Sequence, residues 1–325
     1  MKNKILITGV AGFIGSHLAE KLLNEGEFVI GVDNFDSFYS KDLKWRNLKA
    51  INESKNSKNF TFKELDICNA QSLDELDKEI DLIVHLAAKA GVRPSIDNPE
   101  DYIKANISGT QNILDFMKKR GIKKIVFASS SSVYGNNLKV PFEEDDDVSR
   151  AISPYAFTKK SNEIQLHSYH HLFKIDVICL RLFTVYGPRQ RPDLAIRKFI
   201  QKIQKNEEIE MYGDGSTGRD YTFVFDIVEG IYNAILYIRN NSLVYEIINL
   251  GNSSPVSLNE LINTIYSKMD NQQNISQLPM QPGDVERTFA SIAKANRILN
   301  YQPKVKLEEG IQQTINWLSQ NGNNH

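Results

Sequence analysis

The 325-residue sequence predicts an α/β fold in which a doubly wound parallel sheet is followed by a smaller C-terminal α/β lobe. Two observations support this prediction. Near-continuous apolar runs such as DLIVHLAA (81–88) alternate with helical segments, a pattern typical of strands buried on both faces. After Gly187 the alternation loosens, and short strand-like pieces mix with helices. We therefore expect one domain at 1–182, to which segments near 220–250 return, and a lobe formed mainly by 183–325.

The elements of the first domain follow from its hydrophobic periodicity. Strands are predicted at 5–7, 28–33, 60–66, 81–88, 124–128 and 177–182. Helices are predicted at 12–24, 98–119 and about 154–171. The polar segment 36–59 is expected to be a loop with at most short helical turns. In the second half, a capping box begins a helix at Ser257, and another helix ends near Trp317.

Composition and charge limit the classes of function. Hydrophobic residues make up 41% of the chain, charged residues 24%, and the net charge is −1, as in ordinary globular proteins. This balance gives no electrostatic reason to expect nucleic acid or membrane binding. No apolar run approaches the roughly 20 residues that span a bilayer. With two cysteines and no visible signal peptide, the expected location is the reducing cytoplasm.

The segment GVAGFIG indicates a dinucleotide-binding loop. Gly9, Gly12 and Gly15 come directly after the first strand and at the start of a helix, where a pyrophosphate can approach the backbone. Asp33 ends the second strand and can accept hydrogen bonds from ribose hydroxyls, which favours NAD over NADP. The alternative is a tight turn followed by a surface aspartate. The remaining cofactor contacts are expected at Phe13, Ile14, Asn34, Asp66, Ile67, Leu86, Ala87 and Ala88.

The segment SPYAFTKK predicts the catalytic pair. Tyr155 and Lys159 are four residues apart and share one face of a helix. A free tyrosine has a pKa of about 10, and a nearby lysine cation favours its phenolate, which can then accept a proton from an alcohol. A solvated lysine would explain the same spacing on its own. The prediction gains weight from the glycine loop and from the hydroxyls of SSSSVYG at a strand end.

Together these residues resemble the extended short-chain dehydrogenase/reductase family, and within it the nucleotide-sugar epimerases. The similar segments cover nearly the whole chain in family order: TGVAGFIGSHL, HLAAKAGVRPS, NPEDYIKANISGTQNIL, SSSSVYG, SPYAFTKK, RLFTVYGPRQRPD and GRDYTFVFDIVEG. The resemblance implies an NAD-binding Rossmann domain, a smaller lobe that binds a UDP-sugar, and no metal. It also implies a homodimer that pairs the helix carrying Tyr155 with the long helix after Asn98.

The resemblance also implies roles for individual residues. Tyr155 is similar to the family's base, Lys159 to the residue that lowers the pKa of that base, and Ser130 to the hydroxyl that steadies the reacting oxygen. Both Tyr155 and Lys159 also belong to the cofactor site, and Asn106 is expected near it. Arg219 resembles the arginine that clamps the diphosphate, although a surface salt bridge would also explain it. The implied substrate contacts are Arg93, Ser131, Ser132, Thr184, Arg191, Arg219 and Asp284.

The serine run discriminates between reaction types within the family. Related dehydratases place an Asp-Glu pair after the hydroxyl, and uronate decarboxylases place a glutamate just before VYG. This chain has Ser131 and Ser132 there, so no acid is available to drive an elimination. A 4-epimerase remains as the main prediction: oxidation to a transient 4-keto sugar, rotation of that sugar, and return of the hydride to its other face.

The sugar is predicted from RLFTVYGPRQRPDLA, which looks like the UDP-glucuronate 4-epimerases. A carboxylate at C6 would accept hydrogen bonds from Ser131, Ser132, Thr184 and Arg191. A 4-keto glucuronate tends to lose CO₂, and fixing its carboxylate in the plane of the forming enolate would hinder that loss. The expected reaction therefore converts UDP-glucuronate to UDP-galacturonate.

Three alternative functions remain open. GPRQ also occurs in enzymes acting on neutral or N-acetylated UDP-hexoses, so a UDP-glucose or UDP-N-acetylglucosamine 4-epimerase is the main one. The others are a UDP-glucuronate decarboxylase and a non-catalytic NAD-sensing module, although such modules usually lose the tyrosine or the lysine. At the level of a single residue, an ion pair with Asp193 would also explain Arg191.

Overall fold

The computed structural model describes residues 4–279 and 287–321. In this part of the chain the strands are β1 (Lys4–Thr8), β2 (Phe28–Asp33), β3 (Phe60–Glu64), β4 (Ile80–His85), β5 (Lys124–Ser130), β6 (Asp176–Leu182), β7 (Thr184–Tyr186), β8 (Ile209–Tyr212), β9 (Gly218–Phe223), β10 (Tyr245–Leu250), β11 (Pro255–Ser257) and β12 (Ile275–Leu278). Seven of them form the main sheet, in the order β10-β6-β5-β4-β1-β2-β3. Neighbouring strands in this sheet pair in parallel, which confirms the predicted Rossmann-type fold.

Helices cover both faces of the main sheet. Over the whole described chain, the α-helices are α1 (Phe13–Asn24), α2 (Lys41–Glu53), α3 (Val92–Asp97), α4 (Pro99–Tyr102), α5 (Gly109–Arg120), α6 (Pro154–Phe173), α7 (Ala195–Gln204), α8 (Val224–Asn240), α9 (Leu258–Met269), α10 (Ala293–Leu299) and α11 (Leu307–Asn321). Helices α1 and α8 pack on one face, and α5 and α6 pack on the other. The apolar strands are thus buried on both sides, as their continuous hydrophobic runs require.

A second lobe packs beside the carboxyl ends of the main sheet. Strands β11, β9 and β7 form a three-stranded sheet, and β12 pairs with β8 in parallel. Helices α7, α9 and α11 contribute most of the apolar side chains in the core of this lobe. Between β9 and β11 the chain leaves this lobe through α8 and adds β10 to the main sheet beside β6. Within the described residues, no helix combines the length and apolarity needed to cross a membrane.

The segment 36–59 contains a 13-residue helix, so the expectation of a loop was wrong. Helix α2 begins after Ser40, whose side chain accepts a hydrogen bond from the Asp42 amide at 3.2 Å. Lys44 and Asn47 lie on its buried side among the apolar residues. These two polar side chains interrupt the hydrophobic periodicity, which explains why the pattern did not predict a helix.

The predicted long helix at 98–119 is present but irregular. Between α4 and α5, residues Ile103–Ser108 form a π-helical turn. Such turns often mark functional segments. Strand β5 also extends past its predicted end at residue 128, so that Ser129 and Ser130 belong to the strand. Ser131 begins the 3₁₀ turn that follows.

Candidate active site

A cleft of about 750 Å³ lies at the carboxyl ends of the main-sheet strands, next to the second lobe. It brings together most of the residues predicted from the sequence. Its lining includes Gly9, Gly12, Phe13, Ile14, Gly15, Asp33, Asn34, Asp66, Ile67, Leu86, Ala87, Ala88, Arg93, Ser130, Ser131, Ser132, Tyr155, Lys159, Thr184, Arg191 and Arg219. Asn106 does not line it, and Asp284 lies outside the described residues.

The glycine loop between β1 and α1 has a shape that only glycine permits. Gly9 adopts a positive φ of 73°, and a Cβ on Gly15 would lie 2.3 Å from the Gly9 carbonyl oxygen. Gly12 caps α1 without a side-chain hydrogen bond. The first amides of this 12-residue helix therefore start at the cleft without a protein side chain to satisfy them, which suits a phosphate group.

The Asp33 carboxylate is held in place at the end of β2. Its Oδ2 accepts a hydrogen bond from the Ala11 amide at 3.2 Å, and its Oδ1 accepts one from the Phe35 amide at 2.9 Å. Lys44 Nζ lies 3.5 Å from the same Oδ1. A carboxylate oxygen can accept more than one hydrogen bond, so the group still has capacity for ribose hydroxyls. With the glycine loop, these residues fit the adenosine and pyrophosphate of a dinucleotide.

Tyr155 lies in the first turn of α6. Ser153 caps this helix by accepting a hydrogen bond from the Ala156 amide at 3.1 Å, and Pro154 occupies its first position. The Tyr155 amide donates to Ser95 Oγ at 3.1 Å, which ties the helix start to α3. The phenol is thus close to the positive end of the helix dipole, which favours a negative charge.

The four serines of SSSSVYG divide between two environments. Ser129 Oγ points away from the reacting groups and donates to Glu163 Oε1 at 2.7 Å. Ser130 Oγ accepts from the Ser132 amide at 3.1 Å and donates to Ser132 Oγ, also at 3.1 Å. The Ser130 hydroxyl also acts to lower the pKa of the Tyr155 phenol. Ser131 and Ser132 both line the cleft. The run therefore contributes Ser130, Ser131 and Ser132 to the same cleft lining as Tyr155.

Burial shifts the pKa values of the catalytic pair in opposite directions. It raises the pKa of Tyr155, and the nearby Ser130 hydroxyl and the positive charge of Arg191 oppose that shift. It lowers the pKa of Lys159 to about 7. Lys159 Nζ donates to the Ala128 carbonyl at 2.7 Å, so the amine is anchored at the end of β5. Two groups with perturbed pKa values in one cleft are typical of acid–base catalysis.

Arg191 reaches the cleft while paired with an acid. Its Nε lies 3.0 Å from Asp193 Oδ1 and its Nη2 lies 2.7 Å from Oδ2. The ion pair considered from the sequence is therefore present. The guanidinium also lies 5.0 Å from the centre of the Phe38 ring, and it remains part of the cleft lining. Its charge thus acts on Tyr155 from the side of the second lobe.

The other predicted arginines lie along the same side of the cleft. Arg219 is on β9, and its Nη1 donates to the Gly218 carbonyl at 2.9 Å. The Arg93 guanidinium lies 5.3 Å from the centre of the Tyr212 ring. Thr184 begins β7, next to the catalytic end of the cleft. The cleft therefore has a polar, basic wall opposite the glycine loop. Within 4–279 and 287–321, no cluster of His, Cys, Asp or Glu is placed to hold a metal ion.

Asn106 acts behind the cleft wall. Its Oδ1 accepts from the Lys89 amide at 2.8 Å, and its Nδ2 donates to the Lys89 carbonyl and to Thr158 Oγ1, each at 3.0 Å. The side chain is 1% exposed, so it lies behind the surface that a cofactor would touch. It fixes the backbone of the LAAKAG segment against α6. Asn106 therefore lies next to the cleft and contacts the segment that lines it.

The sequence did not indicate one part of the lining. Asp36, Phe38, Tyr39 and Lys44 face the cleft from α2 and the turn before it. Lys89 also lines it and donates to Asp101 at 3.0 Å. The N-cap Ser40 was the available signal for α2. The polar residues that follow Ser40 interrupt the hydrophobic periodicity, so the helix was not predicted.

Comparisons with known proteins agree with this geometry. The family model described as GDP-mannose 4,6 dehydratase matches residues 6–314. A UDP-glucuronate 4-epimerase of Thermodesulfobacterium geofontis is 43% identical over 320 residues, which cover 97% of this chain and 96% of that protein.

Two solved structures extend the comparison. The UDP-glucuronic acid 4-epimerase of Bacillus cereus, in complex with UDP-glucuronic acid and NAD, has a TM-score of 0.91 at 36% identity, covering 98% of this chain and 99% of its own. The UDP-N-acetylglucosamine 4-epimerase of Methanobrevibacter ruminantium, in complex with UDP-N-acetylmuramic acid, has a TM-score of 0.88 at 30% identity, covering 99% and 100%. The chain therefore belongs to the GDP-mannose 4,6 dehydratase family and, within the extended short-chain dehydrogenases/reductases, to the nucleotide-sugar 4-epimerases.

Proposed function

We propose that this protein is an NAD-dependent 4-epimerase that interconverts UDP-glucuronate and UDP-galacturonate. The observation that carries the proposal is that Tyr155, Ser130 and the cation Arg191 line the same cleft, where Ser130 and Arg191 both favour the ionised form of Tyr155. Ser131 and Ser132 add hydroxyls and no acid there. The names of the relatives from Thermodesulfobacterium geofontis and Bacillus cereus support the same substrate.

The glycine loop, Asp33 and the main sheet are proposed to hold NAD. The cofactor-binding domain would comprise residues 1–182, completed by α8 and β10, and the rest of 183–325 would hold most of the nucleotide sugar. When bound, NAD supplies the acceptor and donor of the hydride. Asp33 would accept hydrogen bonds from the ribose hydroxyls, and the amides at the start of α1 would face the pyrophosphate. Binding of NAD to the Bacillus cereus relative supports this assignment.

The protein's own part in the chemistry is to move one proton. The Tyr155 phenolate would take the proton from the C4 hydroxyl while Ser130 donates a hydrogen bond to the reacting oxygen. After the 4-keto sugar has turned, the same phenol would return the proton to the C4 oxygen, while the opposite face of C4 is presented for hydride return. The charge of Arg191 and the start of α6 favour the phenolate in both halves of the cycle.

Arg191, Thr184, Ser131 and Ser132 are proposed to bind the C6 carboxylate. Arg191 can present two parallel N–H groups to a carboxylate, as it already does to Asp193. Held in the plane of the forming enolate, the carboxylate would not be lost as CO₂. Arg219 is proposed to clamp the diphosphate and Arg93 to contact the substrate. The proposed nucleoside contact at Asp284 lies outside the described residues.

A neutral or N-acetylated UDP-hexose is the second candidate substrate. Asp193 already satisfies the Arg191 guanidinium, so the site does not require a carboxylate. The relative from Methanobrevibacter ruminantium also carries the name of a UDP-N-acetylglucosamine 4-epimerase.

Incubating the enzyme separately with UDP-glucuronate, UDP-glucose and UDP-N-acetylglucosamine would decide between the candidates, with proton NMR as the readout. We expect UDP-galacturonate to form fastest. A pentose or a stable 4-keto product would contradict the epimerase, and faster turnover of either other sugar would contradict the proposed substrate.

The protein is proposed to act as a homodimer in the cytoplasm. Helix α6 exposes Phe157, Ile164 and Leu172, and Ile96 and Ile103 are exposed on the adjoining segment. An apolar patch of this kind on a soluble protein indicates an interface. Cys68 and Cys179 are free thiols, which supports a reducing compartment.

A further inference from the structure

A second cavity, of about 140 Å³, lies between α2, α7 and α11. Its polar lining is dominated by the guanidinium groups of Arg46, Arg189 and Arg197, which lie near Asn47 and Trp317. None of the described residues that line it is acidic. One water occupies about 30 Å³ of liquid, so the cavity has room for an ion of a few heavy atoms.

The environment of Arg197 indicates most directly what this cavity could bind. Its side chain is 4% exposed, its Nη1 donates to the Gln190 carbonyl at 2.6 Å, and its guanidinium lies 5.7 Å from the centre of the Trp317 ring. Within the described residues, its Nε has no hydrogen-bond partner and no carboxylate forms an ion pair with it. A buried charge normally has a partner of opposite sign, because the loss of hydration is otherwise uncompensated.

The surroundings of Arg197 add positive charge. Burial lowers the pKa of Arg197, and Arg46 lowers it further, against opposing effects of Tyr39 and Asp193. Arg46 Nη1 also donates to the Asn321 carbonyl at 3.1 Å. Arg189 is held by Glu20, with two contacts of 2.9 Å each. Glu20 is therefore already paired with Arg189, as Asp193 is with Arg191.

We propose that this cavity is a binding site for a small oxyanion of the phosphate or carboxylate type, separate from the nucleotide-sugar cleft. Such an anion would supply the negative charge that Arg197 lacks, through charge-assisted hydrogen bonds from planar guanidinium groups. The site joins the two lobes, because α2 belongs to the first domain and α7 and α11 belong to the second.

The same site is connected to the cofactor loop. Asn47 lines the cavity, and its Nδ2 donates to the Ala11 carbonyl in the glycine loop at 2.9 Å. Tyr39 lines both the cavity and the cleft. An anion bound to Arg197 would therefore also stabilise the wall of the cleft.

The test is a titration of the enzyme with inorganic phosphate by isothermal calorimetry, with saturating NAD and UDP present so that the cleft is filled. Wild-type enzyme should bind phosphate. Arg197→Gln should weaken phosphate binding by about tenfold or more, because the charged guanidinium and its N–H donors are lost. Lys198→Gln is the matched control, since it removes the same charge from a half-exposed neighbour on α7. Equal phosphate affinity in Arg197→Gln and wild type would overturn the proposal, as would no binding in wild type.

A crystallographic measurement covers the case in which Arg197→Gln does not fold. Crystals of the wild-type complex with NAD and UDP, soaked in selenate, should give an anomalous peak between Arg46 and Arg197. Arg46→Gln, at a half-exposed position, should reduce that peak. An empty cavity after a saturating selenate soak would exclude the site.

Discussion

Glu163 and Arg181 form an ion pair in which both side chains are only 1% exposed. Arg181 Nε lies 2.9 Å from Glu163 Oε1, and Nη2 lies 3.0 Å from Oε2. Glu163 lies one helical turn after Lys159 and also accepts a hydrogen bond from Ser129. The ion pair therefore fixes α6 against β6, and the bond from Ser129 fixes it against β5, the strand that ends at Ser130.

Glu163→Gln should lower the free energy of unfolding by about 3 kcal/mol or more, because Arg181 would keep a buried charge without its partner. Urea denaturation followed by circular dichroism measures this. The double variant Glu163→Leu with Arg181→Met should recover most of the loss, since both charges are then removed. A double variant as unstable as the sum of the single variants would show that the pair is not a coupled unit.

Tyr155→Phe should reduce kcat by about a thousandfold, within the range for loss of a general acid–base group. The phenylalanine fills the same space, so NAD and the UDP-sugar should still bind. Single-turnover kinetics and calorimetry separate the two effects. Turnover at the wild-type rate would refute Tyr155 as the base.

Arg191→Ala should reduce kcat/KM for UDP-glucuronate by about a hundredfold, and for UDP-glucose far less, because only the former brings a carboxylate to the guanidinium. The loss on UDP-glucose reflects the smaller effect of the Arg191 charge on the pKa of Tyr155. Equal losses on the two substrates would exclude a carboxylate-binding role.

Asp193→Asn is the matched control for Arg191. It removes the acid that now holds the guanidinium and leaves the arginine in place. A freed guanidinium should bind UDP-glucuronate with a lower KM, which initial-rate kinetics measures. A higher KM would indicate that the ion pair is needed to orient Arg191.

The pH dependence of stability should report Lys159. Burial lowers the pKa of Lys159 to about 7 from an ordinary value of 10.5. Below pH 7 the amine is protonated in both the folded and the unfolded protein. Between the two pKa values the unfolded chain binds one proton more, so the free energy of unfolding rises with pH.

A comparison with Lys159→Met isolates this effect. The difference in free energy of unfolding between wild type and variant should change by about 2 kcal/mol, in favour of wild type, from pH 7 to pH 9. Urea denaturation of nucleotide-free protein at each pH measures it. Parallel pH profiles for the two proteins would contradict the lowered pKa of Lys159.

Ile164→Glu should convert a dimer to a monomer, because Ile164 is 57% exposed in the apolar patch on α6 and a charge there would be costly to bury. Light scattering after size-exclusion chromatography gives the mass. Leu236→Glu is the control, because Leu236 is 38% exposed on α8, which packs on the opposite face of the main sheet from α6. Loss of the dimer in the control alone would place the interface elsewhere.

The sequence predicted the main sheet and the chemistry of the cleft because both follow local rules. Strands buried on two faces are continuously apolar, a phosphate loop needs glycine, and Tyr155 and Lys159 share a helix face through their spacing alone. These signals need no knowledge of distant contacts. The residues they indicate, Tyr155, Lys159 and most of the predicted cofactor contacts, line one cleft.

The features that the sequence did not predict depend on tertiary partners. Helix α2 buries Lys44 and Asn47 against the cofactor loops, so its buried face is partly polar. Asn106 bonds to the Lys89 backbone from behind the cleft wall, a partner that no spacing indicates. From the sequence, Arg191 could bind a substrate carboxylate or form an ion pair with Asp193. The bidentate pair with Asp193 is visible only in the folded loop, which brings the two side chains together.

The return of β10 to the edge of the main sheet has a consequence for how the chain folds. Strand β6 has its partner β10 only after β7, α7, β8, β9 and α8 have been synthesised. Until then, a nascent chain leaves the hydrogen-bonding edge of an apolar strand open, and open edges promote association between chains. The nucleotide-binding sheet therefore cannot mature on the ribosome as an independent unit. A fragment ending near residue 182 should aggregate, and the two lobes should fold in a single cooperative step.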